Sequence, residues 1–363
     1  MKKNNIFPDK DFWKGKNVFV TGHTGFKGGW LCVWLSKLGA NVTGYSLKPD
    51  SNPSFFDVCK IESITTSVIG DILDYNFLEA SIKKANPDII IHMAAQALVL
   101  ESYKNPLDTF KTNVIGTLNI LEIIRNSKNI KAFLNVTTDK CYRNEEKQYS
   151  YKENDPMGGY DPYSSSKGCS ELVTSAYRQS FFNEEENTQT TSIATARSGN
   201  VIGGGDWSQY RLIPDFFRSS SQKKSIKIRH PNATRPWQHV LEPLRGYLIL
   251  TEQIYQNKGY NEAWNFGPNH NDATTVKEVL TELASQWNEK VDIKFNDTQN
   301  NPHEAKLLSL DISKASSRLN WQPVLKIKKT VSMTCDWYKK FYSGKSDMFL
   351  FSLEQIKEYE FLG

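Results

Sequence analysis

The residues with the clearest capacity for chemistry are Tyr163 and Lys167, which are four positions apart. On a helix such a pair shares one face, and the preceding Asp161-Pro dipeptide is typical of a helix start. A lysine ammonium near a phenol favours the phenolate, so a group with an ordinary pKa of about 10 becomes a usable base near neutrality. The pair follows a strand-like run that ends at Thr138, and open α/β sheets place their ligands at the carboxyl ends of strands. We therefore predict a proton-transfer site around Thr138, Tyr163 and Lys167.

Three glycines, Gly22, Gly25 and Gly28, form a second candidate site between a β-branched run and an amphipathic segment. In a strand–turn–helix unit, glycines let the backbone approach a pyrophosphate, and the unpaired amides of the helix N-terminus bind its charge. The order of strand, turn and helix makes this pattern a strong indication of a dinucleotide site. We predict that Phe26 and Lys27 share this site and that the protein is a nicotinamide-dependent enzyme.

The elements that must position these groups are visible as short β-branched runs alternating with longer amphipathic ones, a pattern typical of βαβ units. The predicted fold class is α/β, a Rossmann-type doubly wound parallel sheet with a smaller α/β C-terminal domain. Since 363 residues exceed the usual size of one hydrophobic core, two lobes are expected. We place a cofactor-binding domain at 1–197, with 238–266 returning to it, and a substrate-binding domain at 198–363. Predicted strands are 17–21, 40–45, 89–92, 132–137, 192–196 and 263–266, and predicted helices are 30–38, 106–125, 163–179 and 240–256.

Composition and charge argue against several other classes of protein. The net charge is +5, but basic and acidic residues alternate along the chain. The densest basic stretch, near Lys224, has no nucleic-acid-binding motif beside it, so we predict no nucleic-acid partner. The longest apolar run, 89–100, is shorter than the roughly 20 residues that a membrane span needs, and no secretory signal is recognisable, so we expect a cytoplasmic protein without a membrane partner. The cysteines and histidines lack zinc-site spacing, and no metal is predicted.

The Gly-x-x-Gly-x-x-Gly spacing resembles that of the extended branch of the short-chain dehydrogenase/reductase superfamily. Matching short motifs follow in the same order, namely Gly70-Asp71-Ile72, His92-Met93-Ala94-Ala95, Asn113 and the Tyr163/Lys167 pair. This resemblance implies that Asp71, with Ile72 beside it, contacts the adenine and that Ala94 and Ala95 line the nicotinamide side. It implies further cofactor contacts from Asn113, Tyr163 and Lys167.

The same resemblance assigns roles in catalysis. Tyr163 would take the proton of a substrate hydroxyl, Thr138 would position the oxygen and Lys167 would hold the cofactor ribose. The second predicted strand ends at Ser46, where an acid would select NAD by bonding the adenosine ribose. We therefore expect NAD as the cofactor and leave NADP open.

The segment Thr138-Asp139-Lys140 makes the predicted type of reaction more specific. It resembles the Thr-Asp-Glu motif of nucleotide-sugar 4,6-dehydratases, in which the aspartate protonates the departing C6 hydroxyl and the glutamate removes the C5 proton. Here Lys140 stands at the glutamate position. Three longer segments, at 198–207, 211–215 and 235–244, resemble the branch of that family that acts on CDP-glucose, which also has lysine after the aspartate.

The resemblance implies oxidation of CDP-glucose at C4, loss of water across C5 and C6, and return of the hydride to C6. Asp139 would be the acid and Lys140 the C5 base. The product would be CDP-4-dehydro-6-deoxy-D-glucose, an intermediate of deoxysugar biosynthesis of the O-antigen type. Because Asp139 favours the charged form of Lys140, a base role requires burial or another cation to lower the pKa of that lysine.

Candidate substrate ligands lie in the second lobe. Arg211 and Arg235 are the residue type that grips the phosphates of a sugar nucleotide by charge-assisted hydrogen bonds. Asn200 is expected to help hold the substrate, whereas His239 is interpreted equally well as a ligand or as a buried core histidine. Two positions depart from the pattern of the family: Leu100 replaces a usual arginine, and Tyr210 replaces a usual acid.

Two alternative functions stay open. A nucleotide-sugar 4-epimerase needs the Tyr163/Lys167 pair but no elimination machinery, and a non-catalytic NAD(P)-sensing binding protein needs only the fold. The resemblance to extended short-chain enzymes also implies a homodimer formed through the helices around Thr112 and Leu172.

Overall fold

The computed structural model describes residues 6–183, 191–228, 230–257, 259–269, 272, 274–287, 289, 291–295 and 307–363. The strands are β1 (Asn17–Thr21), β2 (Asn41–Ser46), β3 (Thr66–Ile69), β4 (Ile89–His92), β5 (Ala132–Val136), β6 (Ser150–Tyr151), β7 (Ser192–Ser198), β8 (Val201–Ile202), β9 (Ile226–Ile228), β10 (Thr234–Arg235), β11 (Gln238–His239), β12 (Ala263–Phe266), β13 (Thr274–Thr275), β14 (Ile293–Phe295) and β15 (Ser309–Leu310). The α-helices are α1 (Lys10–Trp13), α2 (Phe26–Leu38), α3 (Phe55–Val58), α4 (Tyr75–Ala85), α5 (Val99–Lys104), α6 (Pro106–Phe110), α7 (Gly116–Arg125), α8 (Pro162–Phe181), α9 (Leu212–Ser221), α10 (Leu241–Gln256), α11 (Val276–Gln286), α12 (Ser313–Arg318), α13 (Ile327–Ser343) and α14 (Met348–Leu362). Short 3-10 turns cover Ile61–Ser63 and Asp139–Cys141, and a π-helical turn covers Lys111–Ile115.

Seven parallel strands form the central sheet, in the order β12-β7-β5-β4-β1-β2-β3. Val18 of β1 is in register with Val42 of β2 on one side and with Ile89 of β4 on the other. All residues of β4 and β5 are buried, as expected for inner strands covered by helices on both faces. The predicted class, a Rossmann-type parallel sheet, is therefore confirmed.

The helix predicted over 106–125 is not continuous. The structure divides it into α6, the π-helical turn Lys111–Ile115 and α7. Asn113 is buried within that turn and bonds to neighbouring segments, and a Cβ on Gly116 would lie 2.3 Å from Cδ1 of Ile72. Side-chain bonds and close packing, which hydrophobic periodicity does not report, accompany this interruption.

Residues C-terminal to β7 contribute both to the central sheet and to the smaller strand pairs outside it. β12 pairs with β7 at the edge of the central sheet, and α10 packs against β5 and β7. The strand pairs β8–β11, β10–β13, β9–β14 and β6–β15 lie outside that sheet. The C-terminal α14 returns to pack on α2, the helix that follows the glycine turn.

Two findings concern membrane-spanning helices and metal sites. Within the residues described above, no helix is both long enough and apolar enough to cross a membrane. Over the same residues, no group of three or more histidine, cysteine or acidic side chains is placed to hold a metal ion.

Candidate active site

The strand order reverses direction between β1 and β4, and in open α/β sheets this crevice at the carboxyl ends is where ligands bind. The glycine turn joins β1 to α2 at this point. Gly22 has a φ of +80°, which glycine adopts without strain, and a Cβ on Gly28 would lie 2.1 Å from the Gly22 carbonyl oxygen. Gly25 is the N-cap of α2 and has no side chain to bond the first amides of the helix. The amides of Phe26 and Lys27 and the positive end of the helix dipole thus suit a pyrophosphate, and the turn fits a dinucleotide.

Ser46 and Ala94 border this turn. The Ser46 hydroxyl lies 2.9 Å from the Thr24 hydroxyl of the turn itself. The Ala94 amide donates to Thr21 Oγ1 at 3.1 Å, and a Cβ on Gly22 would lie 2.8 Å from the Ala94 nitrogen. Ala95 follows in the same half-buried loop after β4. The structure thus brings Ser46, Ala94 and Ala95 to the rim of the glycine turn.

Asp71 and Ile72 follow β3. The Asp71 carboxylate accepts from the Leu73 amide at 2.9 Å, and the Asp71 carbonyl accepts from the Tyr45 phenol at 2.9 Å. The Ile72 side chain is buried against Gly116, so it belongs to the hydrophobic core. Of the two, Asp71 is the half-buried residue whose side chain is accessible to a ligand.

The side chain of Asn113, a predicted cofactor contact, bonds to protein groups in this structure. It is 1% exposed, its Oδ1 accepts from the Gln96 amide at 2.9 Å, and its Nδ2 donates to the Gln96 carbonyl and to Ser166 Oγ. Its contacts fix the loop after β4 against α8, three residues from Tyr163.

Thr138, Asp139 and Lys140 form a tight turn at the carboxyl end of β5. Thr138 caps the turn, and its Oγ1 accepts from the Lys140 amide at 3.3 Å and donates to Asp139 Oδ1 at 3.1 Å. Asp139 is 2% exposed, and its Oδ2 has no hydrogen-bond partner among the described residues. Burial raises the pKa of Asp139, opposed by Lys140, the Thr138 bond and Arg235. Lys140 is half-buried beside it.

Tyr163 and Lys167 lie on the first turns of α8, whose N-cap Asp161 accepts from the Ser164 amide. Burial raises the pKa of Tyr163 to about 12, although the Thr138 hydrogen bond and Arg211 oppose this shift. The direction is opposite to the shift expected from a neighbouring lysine, because loss of hydration outweighs the nearby positive charge. The Lys167 ammonium donates to the Val136 carbonyl at 3.0 Å, and burial lowers the pKa of Lys167 to about 8.

A buried ion pair links α8 to β7, and no sequence motif predicted it. Arg197 of β7 and Glu171 of α8 form a two-point pair, with Nε–Oε1 and Nη2–Oε2 distances of 2.9 Å. Arg197 also donates at 2.7 Å to the phenol of Tyr142, which follows the 3-10 turn Asp139–Cys141. The only sequence signal is that Glu171 follows Lys167 by one helical turn and that Arg197 interrupts a strand of small and apolar residues.

The side chain of Lys27 extends from the glycine turn to Ser198 at the end of β7. Its ammonium donates to Ser198 Oγ at 3.3 Å, and Ser198 Oγ lies 2.6 Å from the Tyr247 phenol oxygen. Burial, then the charges of Arg211 and Lys167, lower the pKa of Lys27 to about 7, and Asp139 opposes this shift. The backbone of Lys27 is at the cofactor turn, whereas its side chain ends among the groups expected to do the chemistry.

Arg211 and Arg235, the predicted substrate ligands, both act electrostatically on predicted catalytic residues. Arg211 is the N-cap of α9, donates to Asp206 Oδ2 at 3.1 Å and exerts its charge on Tyr163. Arg235 is 5% exposed, in β10, and its charge acts on Asp139. Asn200, after β7, is half-buried, and its carbonyl accepts from the Gln238 amide at 3.0 Å.

His239 is not in the crevice. It is fully buried in β11, its Nδ1 accepts from the Leu241 amide at 3.3 Å, and its ring packs edge-on against Trp30. Burial lowers the pKa of His239 to about 3, so the ring is neutral. Of the two interpretations of this residue, the packing on Trp30 favours the core histidine, although the Nε2 atom of His239 has no hydrogen-bond partner among the described residues.

Comparison with known proteins agrees with this geometry. A protein-family model described as GDP-mannose 4,6 dehydratase matches residues 19–334. The CDP-glucose 4,6-dehydratase of Salmonella typhimurium is 47% identical over 97% of this chain and 98% of that protein. The dTDP-glucose 4,6-dehydratase of Haemophilus influenzae is 26% identical over 89% of this chain and 97% of that protein.

Solved structures share the fold at low identity. The UDP-glucose 4-epimerase of Thermotoga maritima, with UDP-glucose, superposes with a TM-score of 0.76 at 21% identity, covering 90% of this chain and 99% of that one. The dTDP-glucose 4,6-dehydratase of Bacillus anthracis, in complex with NAD, gives a TM-score of 0.73 at 21% identity, covering 89% of this chain and 96% of that one.

The glycine turn, the seven-stranded parallel sheet and the Tyr163/Lys167 pair define a protein of the extended short-chain dehydrogenase/reductase type. Within that type, the family match over most of the chain is decisive. The chain belongs to the nucleotide-sugar 4,6-dehydratase family.

Proposed function

We propose that the protein converts CDP-D-glucose to CDP-4-dehydro-6-deoxy-D-glucose, with NAD as a cofactor that is regenerated in each turnover. The whole-length similarity to the CDP-glucose 4,6-dehydratase of Salmonella typhimurium supports the choice of substrate and of lyase activity. The dinucleotide would be held by the glycine turn with Phe26 and Lys27 and by Ser46, Asp71, Ala94 and Ala95. Bound NAD supplies a hydride acceptor for C4 and a hydride donor for C6.

The observation that carries the mechanism is that Asp139, Thr138 and Tyr163 are all buried, that the Thr138 hydroxyl donates to the Asp139 carboxyl at 3.1 Å, and that both residues act on the pKa of the Tyr163 phenol. Tyr163 takes the proton of the C4 hydroxyl, and Thr138 positions that oxygen. The resulting C4 ketone acidifies the C5 proton. Asp139 then protonates the C6 hydroxyl, which leaves as water, and its raised pKa lets it hold the proton it must deliver.

Lys140 is proposed as the base at C5, since it is half-buried beside Asp139 in the same turn. It removes the C5 proton during elimination and returns a proton to C5 when the hydride reaches C6. Lys167, whose ammonium donates to the Val136 carbonyl, orients the cofactor ribose. Arg211 and Arg235, with Asn200, bind the diphosphate and the sugar in the lobe formed by 198–363, whereas 1–197 with 238–266 forms the cofactor lobe.

Two further proposals concern the protein as a whole. We propose a homodimer through the helices around Thr112 and Leu172, and Leu172 is 59% exposed on α8, as a contact residue would be before association. The reaction is proposed to take place in the cytoplasm, as part of deoxysugar biosynthesis.

The test is to incubate the protein with NAD and, separately, with CDP-glucose, dTDP-glucose and GDP-mannose, and to follow product mass. We expect CDP-glucose to lose one water and to give a 4-keto sugar. A product of unchanged mass with inverted C4 would support a 4-epimerase instead. Binding of NAD without any conversion of the three substrates would support a sensing protein.

A further inference from the structure

We propose that Ser46 selects NAD over NADP because its hydroxyl hydrogen is committed to Thr24, so that Ser46 presents only lone pairs to the adenosine ribose. This inference rests on the proposed function in one respect, namely that the glycine turn binds a nicotinamide dinucleotide. It assigns to a serine the selective role that a carboxylate usually has in Rossmann-type sites.

Ser46 lies where such a selective group is expected. β1 and β2 are parallel neighbours, with Thr21 in register with Tyr45, and the Gly22 amide donates to the Tyr45 carbonyl at 2.9 Å. The end of β2 is thereby fixed beside the glycine turn. The Ser46 carbonyl accepts from the Gly70 amide at 2.9 Å, which holds the backbone of Ser46 from the β3 side. In Rossmann-type sites, an acid after the glycine turn bonds the ribose 2′-hydroxyl of NAD.

The hydrogen of each hydroxyl can be assigned from the groups around it. Thr24 Oγ1 lies 2.9 Å from the Leu47 carbonyl oxygen and 2.9 Å from Ser46 Oγ. A hydroxyl has one hydrogen and two acceptor positions, whereas a carbonyl oxygen only accepts. Thr24 therefore donates to Leu47, and the bond between Thr24 and Ser46 takes its hydrogen from Ser46. Ser46 has no second hydrogen to offer a ligand, but its lone pairs can still accept one.

This arrangement distinguishes the two cofactors by the group that each carries at the ribose 2′ position. NAD has a hydroxyl there, which can donate its hydrogen to Ser46 Oγ. NADP has a phosphate there, which carries a charge of about −1.5 to −2 at pH 7 and acts as a hydrogen-bond acceptor. Phosphate oxygens would then face the lone pairs of Ser46, and an acceptor without a donor costs binding energy. We expect the wild type to bind NAD about 10- to 100-fold more tightly than NADP.

Burial keeps the two hydroxyls in this arrangement. Exposed fractions are 6% for Thr24 and 9% for Ser46, so both hydroxyls bond to protein groups rather than to bulk water. To donate to a phosphate, Ser46 would have to give up its bond to Thr24, or Thr24 would have to turn its hydrogen away from the Leu47 carbonyl. Either change loses one buried hydrogen bond, so binding of NADP carries a cost that binding of NAD avoids.

The first experiment measures NAD and NADP binding by isothermal titration calorimetry, with the whole protein freed of bound dinucleotide. Thr24→Val removes the acceptor that holds the Ser46 hydrogen, so Ser46 becomes able to donate to a phosphate. We expect NADP to bind about tenfold more tightly relative to NAD than in the wild type. Thr24→Ser is the matched control, because it keeps both hydrogen bonds and should retain the wild-type ratio. Damage to the turn would weaken the binding of both cofactors and would not favour NADP.

Ser46→Ala tests the acceptor side of the same arrangement. The variant loses the lone pairs that take the ribose hydrogen, so NAD affinity should fall about fivefold without a loss of NADP affinity. An NAD analogue that lacks the adenosine 2′-hydroxyl isolates that hydroxyl. The wild type should bind this analogue about fivefold more weakly than NAD, whereas Ser46→Ala should bind the two alike. A wild type that binds NAD and the analogue equally would contradict the proposal.

Lys48 provides the control for charge, since it is exposed and lies two residues after Ser46. Lys48→Met should retain the wild-type ratio of NAD to NADP affinity. A ratio that changes in Lys48→Met but not in Thr24→Val would assign the selection to charge and refute the role of Ser46. Equal affinity of the wild type for NAD and NADP, or the same ratio in Thr24→Val and Thr24→Ser, would also refute it.

The proposed function is tested separately, by formation of the 4-keto product from CDP-glucose. A wild type that prefers NAD in the expected way but converts no sugar nucleotide would overturn the proposed dehydration and leave the selection by Ser46 standing. A wild type that binds neither dinucleotide would overturn both.

Discussion

Arg197→Met probes the buried ion pair between Arg197 of β7 and Glu171 of α8. Arg197 is 2% exposed and bonds both carboxylate oxygens of Glu171 at 2.9 Å, the Tyr142 phenol at 2.7 Å and the Glu153 carbonyl at 3.0 Å. Methionine is apolar and of similar length, so the substitution removes charge and hydrogen bonds with little change in volume. Glu171 is left as a buried carboxylate without its cation.

The magnitude follows from that unpaired charge. Removing one partner of a buried pair costs about 3–5 kcal/mol of the free energy of unfolding. Glu171 retains the hydroxyls of Thr137 and Thr195, so we expect the lower end, about 3 kcal/mol. In the wild type the pair holds the pKa of Glu171 below its usual value, and that contribution to stability is lost as the pH falls. In the variant, burial raises this pKa against only the two threonine hydrogen bonds, without the Arg197 charge, so protonation stabilises the variant at low pH.

The assay is urea unfolding of wild type and variant at pH 8 and pH 5. We expect the difference in free energy of unfolding to be larger at pH 8 than at pH 5. Arg125→Met is the matched control, because Arg125 pairs with Glu122 on the exposed side of α7 and should lose only a small fraction as much. The double variant Glu171→Gln/Arg197→Met should recover part of the loss. A loss below about 1 kcal/mol, or one that does not shrink at pH 5, would refute the reasoning.

Three further outcomes are expected. Gly28→Ala should abolish NAD binding in a fluorescence titration, because its Cβ would lie 2.1 Å from the Gly22 carbonyl; binding within threefold of wild type would contradict the tight-turn geometry. Glu252, which accepts from Trp13 Nε1, has its pKa raised by burial from 4.5 to about 7, so its contribution to stability is present at pH 4 and lost as the pH rises to 7. Glu252→Gln should therefore gain on the wild type between pH 5 and 8, by up to about 3 kcal/mol in urea unfolding, and a constant difference would refute this. Lys140→Met should form NADH from CDP-glucose yet fail to exchange C5 hydrogen with deuterium oxide, and exchange at the normal rate would show that Lys140 is not the base.

Much of the fold was predictable because its determinants are local. Buried parallel strands are continuous β-branched runs, and the helix start at Asp161 and the glycine turn depend on neighbours within a few residues. The π-helical turn at Lys111–Ile115 was not predictable from periodicity, because it accompanies bonds from Asn113 to segments 17 and 53 residues away.

The candidate site, like the fold, was predictable from the sequence only in part. Residue type and order identified Tyr163 and Lys167, and the family resemblance added Thr138 and Asp139. The structure buries all four and places a hydrogen bond of 3.1 Å between Thr138 and Asp139. The burial of His239 could not be read from its motif, since a histidine in a short strand has the same local pattern whether it faces a crevice or the core.

The sequence by itself determined the class of fold, the dinucleotide turn and the types of catalytic group, because each depends on short-range spacing and on chemistry that belongs to the side chain. Only the tertiary structure decided how those groups behave. Burial and charges from distant segments set the raised pKa of Tyr163 and the lowered pKa of Lys27, and the pairing of Glu171 with Arg197 joins residues 26 positions apart. Hydration and Coulombic interaction depend on distance in space, and a linear sequence does not contain that distance.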